Sequence, residues 1–139
     1  MKINMNQWMQ DILKSEKRKA FPLMPYLGLE LTCKKILEVV KDGQVQSQCV
    51  RAVASRFPSI ASVTIMDLSV ECEAFGGTIR FVENEVPTTI GVIVNDMNAA
   101  DSLKVPDIGA GRTGVYIRAA ELTAQAITAR PVFGCHIGP

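Results

Sequence analysis

Apolar positions along the chain recur with two different periods. Met5, Trp8, Met9 and Ile12 fall at i, i+3, i+4 and i+7, which predicts a short amphipathic helix over residues 4–15. A charged link, Lys14 to Lys19, leads into "AFPLMPYLG", an apolar run punctuated by Pro22 and Pro25. It reads as an irregular strand ending near Tyr26. "TCKKILEVV" predicts a helix with Thr32 as its N-cap. After Asp42-Gly43 a further helix extends to about Phe57, with Val45, Cys49, Val53 and Phe57 at four-residue steps, and Pro58 stops it.

"SVTIMDL" is apolar on both faces, as a parallel strand covered by helices on both sides would be. "TIRFVENEVPTTIGVIV" predicts a β-hairpin turning around Glu83-Asn84-Glu85, and "DSLKVPDI" a connector. A helix from about Thr113 to Thr128 would bury Val115, Ala119, Leu122 and Ala126, and "RPVFGCHIGP" closes as a buried strand. Strand, helix, strand, helix, strand predicts an α/β fold with three parallel strands, covering helices and an inserted hairpin. The sequence runs to Pro139, just past a core strand, with no helix to cover it. A complete (β/α)8 barrel needs about 250 residues. The expectation is therefore that residues 1–139 form a single N-terminal portion of such a barrel, with 1–18 as a helical extension. Exposed sheet edges in such a portion would template association into a homo-oligomer.

Composition narrows the function. The chain has 139 residues, 47% hydrophobic and 21% charged, with 15 Lys and Arg against 14 Asp and Glu. No basic stripe with interleaved aromatics appears, so nucleic acid is not expected as a partner. No apolar run reaches the length of a membrane span, and the N-terminus lacks a signal peptide's hydrophobic segment. The four cysteines, at 33, 49, 72 and 135, form no C-x-x-C pair, and reduced thiols in a cytoplasmic protein are the simplest reading.

The candidate chemistry centres on "VTIMDLSVECEAFG", which places Asp67, Glu71 and Glu73 directly after an apolar strand. Ligands of parallel α/β sheets bind beyond the carboxyl ends of the strands. Asp67 sits at that end, where an acid can point into a site; equally, it can cap the helical turn that follows. Glu71 and Glu73 read as the solvated face of the loop after the strand. Gly109-Ala-Gly111-Arg-Thr-Gly114 matches G-x-G-x-x-G, but it follows a Pro-broken connector. It reads as a helix-entry turn, with an anion site at the helix N-terminus as the alternative. Cys135-His136 invites a metal reading, yet neighbours on a strand point to opposite faces and His136 is the sole histidine, so no metal site is expected from this chain. Cys33 and Cys49 read as helix packing residues, and Trp8 as a core or docking anchor.

Four stretches, "FPLMPYLGLELT", "VTIMDLSVECEAFGGTIRF", "VPDIGAGRTGVYIRAAEL" and "RPVFGCHIGP", carry a resemblance to the uroporphyrinogen decarboxylase superfamily. The chain looks most similar to the branch that contains methylcobalamin:coenzyme M methyltransferases. The resemblance implies a TIM barrel with its active site at the C-terminal mouth. It implies a catalytic, substrate-facing role for Asp67, which matches the aspartate that holds pyrrole N–H groups in the decarboxylases, and substrate-lining roles for Met24, Tyr26 and His136. Decarboxylase members carry R-Q-A-G-R after the first strand; this chain has Pro25-Tyr26-Leu27-Gly28-Leu29 there. The arginines that would clamp a polycarboxylate are missing.

For the complete family member the resemblance implies methyl transfer from a methylated corrinoid, or a corrinoid protein, to a thiol activated by zinc. The His-x-Cys pair and later Cys that bind this zinc belong to the family's C-terminal half, so this chain by itself is expected to hold neither zinc nor activity. Decarboxylation of uroporphyrinogen is the alternative within the family. A non-catalytic ligand- or partner-binding module is the alternative of another class.

Overall fold

In a computed structural model, which describes residues 3–24 and 26–136, seven helices and four short strands follow one another among the described residues. Helix α1, Met5–Leu13, begins where the Asn4 side chain accepts a hydrogen bond from the Gln7 backbone N–H. Helices α2 (Leu27–Thr32), α3 (Ile36–Lys41) and α4 (Gly43–Arg56) come next. Asp42 starts α4 by accepting from the backbone N–H groups of Gln44 and Val45, which offsets its unpaired first-turn donors. Strand β1 is Ser62–Val63, α5 is Val70–Ala74, and β2 (Thr78–Val82) with β3 (Glu85–Ile90) makes the hairpin. Helix α6 (Met97–Ser102), helix α7 (Thr113–Ala126) and β4 (Val132–Phe133) complete the order.

Strands β1 and β4 pair in parallel, Ser62 opposite Val132 and Val63 opposite Phe133. Backbone bonds from Ser62 to Pro131 (2.8 Å) and from Thr64 to Phe133 (2.9 Å) extend the ladder. Helices α4 and α7 pack against one another. Gly43 permits it: a Cβ there would lie 2.7 Å from the Val115 carbonyl oxygen and 3.0 Å from the Ala119 nitrogen. Gly28 gives α2 the same close approach, since its Cβ would lie 2.5 Å from the Cys49 carbonyl oxygen. Val39, Cys49, Val50 and Ile65 form the buried centre, with Tyr26, Leu29 and Tyr116 packed around it. Arg130 fastens the end of α4 by donating to the carbonyls of Ala54 (2.8 Å) and Phe57 (3.0 Å) and to the Ser59 hydroxyl.

The α/β class stands, but the sheet is smaller than the sequence predicted. Among the described residues there is one parallel pair and one antiparallel pair, and no closed barrel. Residues 20–24 are not a strand. The Ala20 carbonyl accepts from the Ile60 N–H and the Met24 carbonyl from the Leu27 N–H, but no ladder forms, and Pro22 lacks a donor that a ladder would need. Thr32 does not start a helix. It ends α2, its hydroxyl donates back to the Gly28 carbonyl at 2.7 Å, and Cys33 turns the chain with a left-handed φ of 53°. Cys33 is accordingly exposed rather than packed, whereas Cys49 is buried. Ala126, expected inside, is exposed at the last turn of α7. Residues 137–139, the end of the "RPVFGCHIGP" segment, lie outside the described residues.

Candidate functional site

Beyond β1 the chain continues through buried Thr64 and Ile65 and reaches Asp67, whose side chain is fully buried. Its neighbours arrive from two directions. The following turn supplies Ser69, whose N–H and hydroxyl donate to Asp67 Oδ1 at 2.9 and 2.6 Å. The entry to α7 supplies Arg112 and Tyr116, which donate to Asp67 Oδ2 from Nη1 at 2.5 Å and from the phenol at 3.1 Å. A carboxylate has about four lone-pair sites. Each Asp67 oxygen already accepts two protein hydrogen bonds, so the catalytic role expected for it would have to compete with these partners.

Arg112 is committed just as fully. Its Nε donates to Glu73 Oε2 and its Nη2 to the Ser69 hydroxyl at 2.8 Å, so all three guanidinium nitrogens are engaged. One face of the group lies 4.9 Å from the centre of the Phe81 ring, on the hairpin. The glycine-rich turn explains how the arginine gets there. Gly109 and Gly111 hold left-handed φ values of 88° and 54°, and a Cβ on Gly114 would meet the Gly109 carbonyl oxygen at 3.0 Å. The turn thus folds tightly onto α7 and aims Arg112 back at β1, as a helix-entry turn. Glu73, expected to be solvated, is instead the second carboxylate on Arg112.

Burial alone would raise the Asp67 carboxyl, but hydrogen bonds from Arg112 and Ser69 outweigh it and hold the group below its ordinary value. Desolvation opposes the charge on Arg112 too, and Asp67 and Glu73 more than restore it. Burial, together with the nearby Asp67 charge, pushes the Tyr26 phenol up to about 12 and the Tyr116 phenol well above its usual range. Both tyrosines are neutral hydrogen-bond donors at any ordinary pH.

A cleft of about 240 Å³ opens beside this network, and Asp67, Glu71, Thr113, Tyr116, Cys135 and His136 contribute to its wall. The sequence-expected residues divide. His136 lines the cleft with Asp67. Tyr26 stands next to them, its hydroxyl donating to the Met66 carbonyl at 3.0 Å. Met24 lies elsewhere, lining a small apolar cavity of about 30 Å³ with Val50, Val53 and Phe57. Arg112 and Tyr116 were not singled out by the sequence, because nothing local marks a contact spanning more than 40 residues; Ser69 is two residues from Asp67, in the turn that Asp67 was expected to cap as the alternative. The one available signal was an arginine inside a glycine-rich helix entry.

Among the described residues no three His, Cys, Asp or Glu side chains group as metal ligands. No helix among them is long and apolar enough to cross a membrane.

A family model described as uroporphyrinogen decarboxylase (URO-D) matches residues 6–139. Among solved structures the chain is similar to a methyltransferase from Methanosarcina mazei, with a TM-score of 0.71 and 17% identity. The match takes in 96% of this chain and 42% of that one, so the chain spans less than half of that methyltransferase's length. No curated protein matches the chain.

Proposed function

Because this chain belongs to the uroporphyrinogen decarboxylase family, we propose that it is part of a methyl-transferring member of that family. In this reading the cleft beside Asp67 receives the amidated, uncharged rim of a methylated corrinoid. A methylated corrinoid carries the methyl group in such chemistry; what this chain contributes is the wall that holds it.

The observation that carries the reading is the commitment of Arg112. All three of its nitrogens are turned onto Asp67, Ser69 and Glu73, and among the described residues the cleft wall beside it brings Asp67 and Glu71 but no arginine or lysine. Binding a ligand with many carboxylates requires fixed cationic donors, and segment 25–29 carries none either. A corrinoid rim of neutral amides asks only for hydrogen-bond partners, and the Tyr116 and Thr113 hydroxyls, whose own protons go to Asp67 and to the Ala110 carbonyl, can still accept from its amide N–H groups. Asp67 acts here as a positioning residue: it fixes the Tyr116 hydroxyl and the α7 entry rather than touching the ligand.

The chain by itself is expected to transfer no methyl group to a thiol. The reading is tested by titrating the chain with methylcobalamin and, separately, with uroporphyrin as a stable octacarboxylate. Saturable methylcobalamin binding with weaker uroporphyrin binding is the expected result. Tighter binding of uroporphyrin would overturn it.

A further inference from the structure

Arg112 donates hydrogen bonds only from the edge of its guanidinium plane, and that edge is taken up by Asp67, Ser69 and Glu73. The flat faces of such a group have no protons to give, are weakly hydrated and accept an aromatic ring. Phe81 supplies one, with the guanidinium carbon 4.9 Å from the ring centre. The ring comes from β2, where Ile79 and Phe81 are half-buried between exposed neighbours.

The hairpin that carries Phe81 is fastened to α3 at its turn. The Glu83 carbonyl accepts from the Leu37 N–H at 3.1 Å, and the Glu83 carboxylate pairs with Lys35 at 2.8 Å. Lys41, the last residue of α3, places its ammonium 4.7 Å from the centre of the same Phe81 ring. One ring therefore holds a cation from α3 and the cation of the cleft network. A continuous run of contacts leads from α3 through the hairpin and Arg112 to Asp67 and Tyr116 in the cleft wall.

We propose that Phe81 is a positioning residue for the cleft, acting through Arg112. Its ring fixes the tilt of the guanidinium plane, and in that plane Asp67, Ser69 and Glu73 all receive their bonds. The hairpin thereby sets how firmly Tyr116 and the α7 entry are held where the ligand binds. The choice of ligand rests on the corrinoid reading of the cleft; the role of the ring rests on the geometry alone.

Two variants separate the ring from mere bulk. Phe81→Leu keeps an apolar side chain without the π face, and Phe81→Tyr keeps the face. Exchange of guanidinium protons with solvent, followed by NMR in the free chain, reads Arg112 directly. In Phe81→Leu the Arg112 protons should exchange roughly threefold faster or more. Those of Arg130, which bind the Ala54 and Phe57 carbonyls, should keep their rate. Phe81→Tyr should match the wild type at both arginines. Methylcobalamin titration of the same proteins then reads the cleft. The Leu variant should bind roughly threefold more weakly or worse, and the Tyr variant like the wild type. Unchanged Arg112 exchange, equal acceleration at Arg130, or no rescue by tyrosine would overturn the role of Phe81. So would faster Arg112 exchange with undiminished methylcobalamin affinity. A wild-type chain that fails to bind methylcobalamin would instead sink the corrinoid reading, and the exchange rates alone would then decide for or against Phe81.

Discussion

Arg112 donates to Asp67 at 2.5 Å across 45 positions of sequence, and the pair is buried, the arginine side chain 8% exposed and the aspartate not at all. The contact joins the exit of β1 to the entry of α7. Through Ser69, Glu73 and Tyr116 it makes one network of the surfaces that surround the cleft.

Removing the arginine should therefore be severe. Arg112→Ala leaves a buried carboxylate without its counter-ion, which costs about 3–5 kcal/mol. Arg112→Lys should recover only part of it, because one ammonium cannot reach Asp67, Ser69 and Glu73 as the planar fork does. Urea unfolding of both variants measures the two losses.

Stability should fall at both ends of the pH range. Asp67 titrates below its ordinary 3.8 in the folded chain, so its contribution is present above that value and is lost as pH falls through the lower folded value. Tyr26 moves the other way, from 10.0 to about 12. Its contribution is complete below pH 10 and disappears as pH rises toward the folded value, and Tyr116 adds in the same direction. In Asp67→Asn the acid limb should flatten and the alkaline limb should shrink in part, burial keeping the larger share of the tyrosine shifts. Thermal unfolding against pH checks both.

Gly43→Ala should push α4 and α7 apart. The new methyl would meet backbone, the Val115 carbonyl and the Ala119 nitrogen, and neither can swing aside. A cost of about 1–3 kcal/mol is expected for such overpacking. Gly134→Ala, with nothing within 4 Å of the added Cβ, serves as the control and should change stability little.

How much of this was legible in the sequence depended on how local each cause was. Residues 43–56 and 113–126 were readable as helices because their apolar spacing and their starts, Asp42 and the glycine turn, lie within a few residues. The hairpin was readable from the polar residues at Glu83 and Asn84. The segment at 20–24 misled, since apolar content suggested a strand while Pro22 denied it a ladder. Short α2, α5 and α6 went unseen, whereas α3, no longer than α2 or α6, was readable from the apolar run "KILEVV". At the site, Asp67 was found from its place after a strand. Its partners on α7, Arg112 and Tyr116, were not, because contacts from residue 67 to residues 112 and 116 are set by the packing of α7 beside β1 and by no spacing in the chain.

The most direct test is a double-mutant cycle on the central contact. Unfolding free energies of Asp67→Asn, Arg112→Met and the double variant would be compared with the wild type. If Arg112 is committed to Asp67, the double variant should lose far less than the sum of the two single losses, with a coupling of about 2 kcal/mol or more. Single losses that add to within about 0.5 kcal/mol would contradict the account. The arginine would then be independent of the carboxylate and available to the cleft.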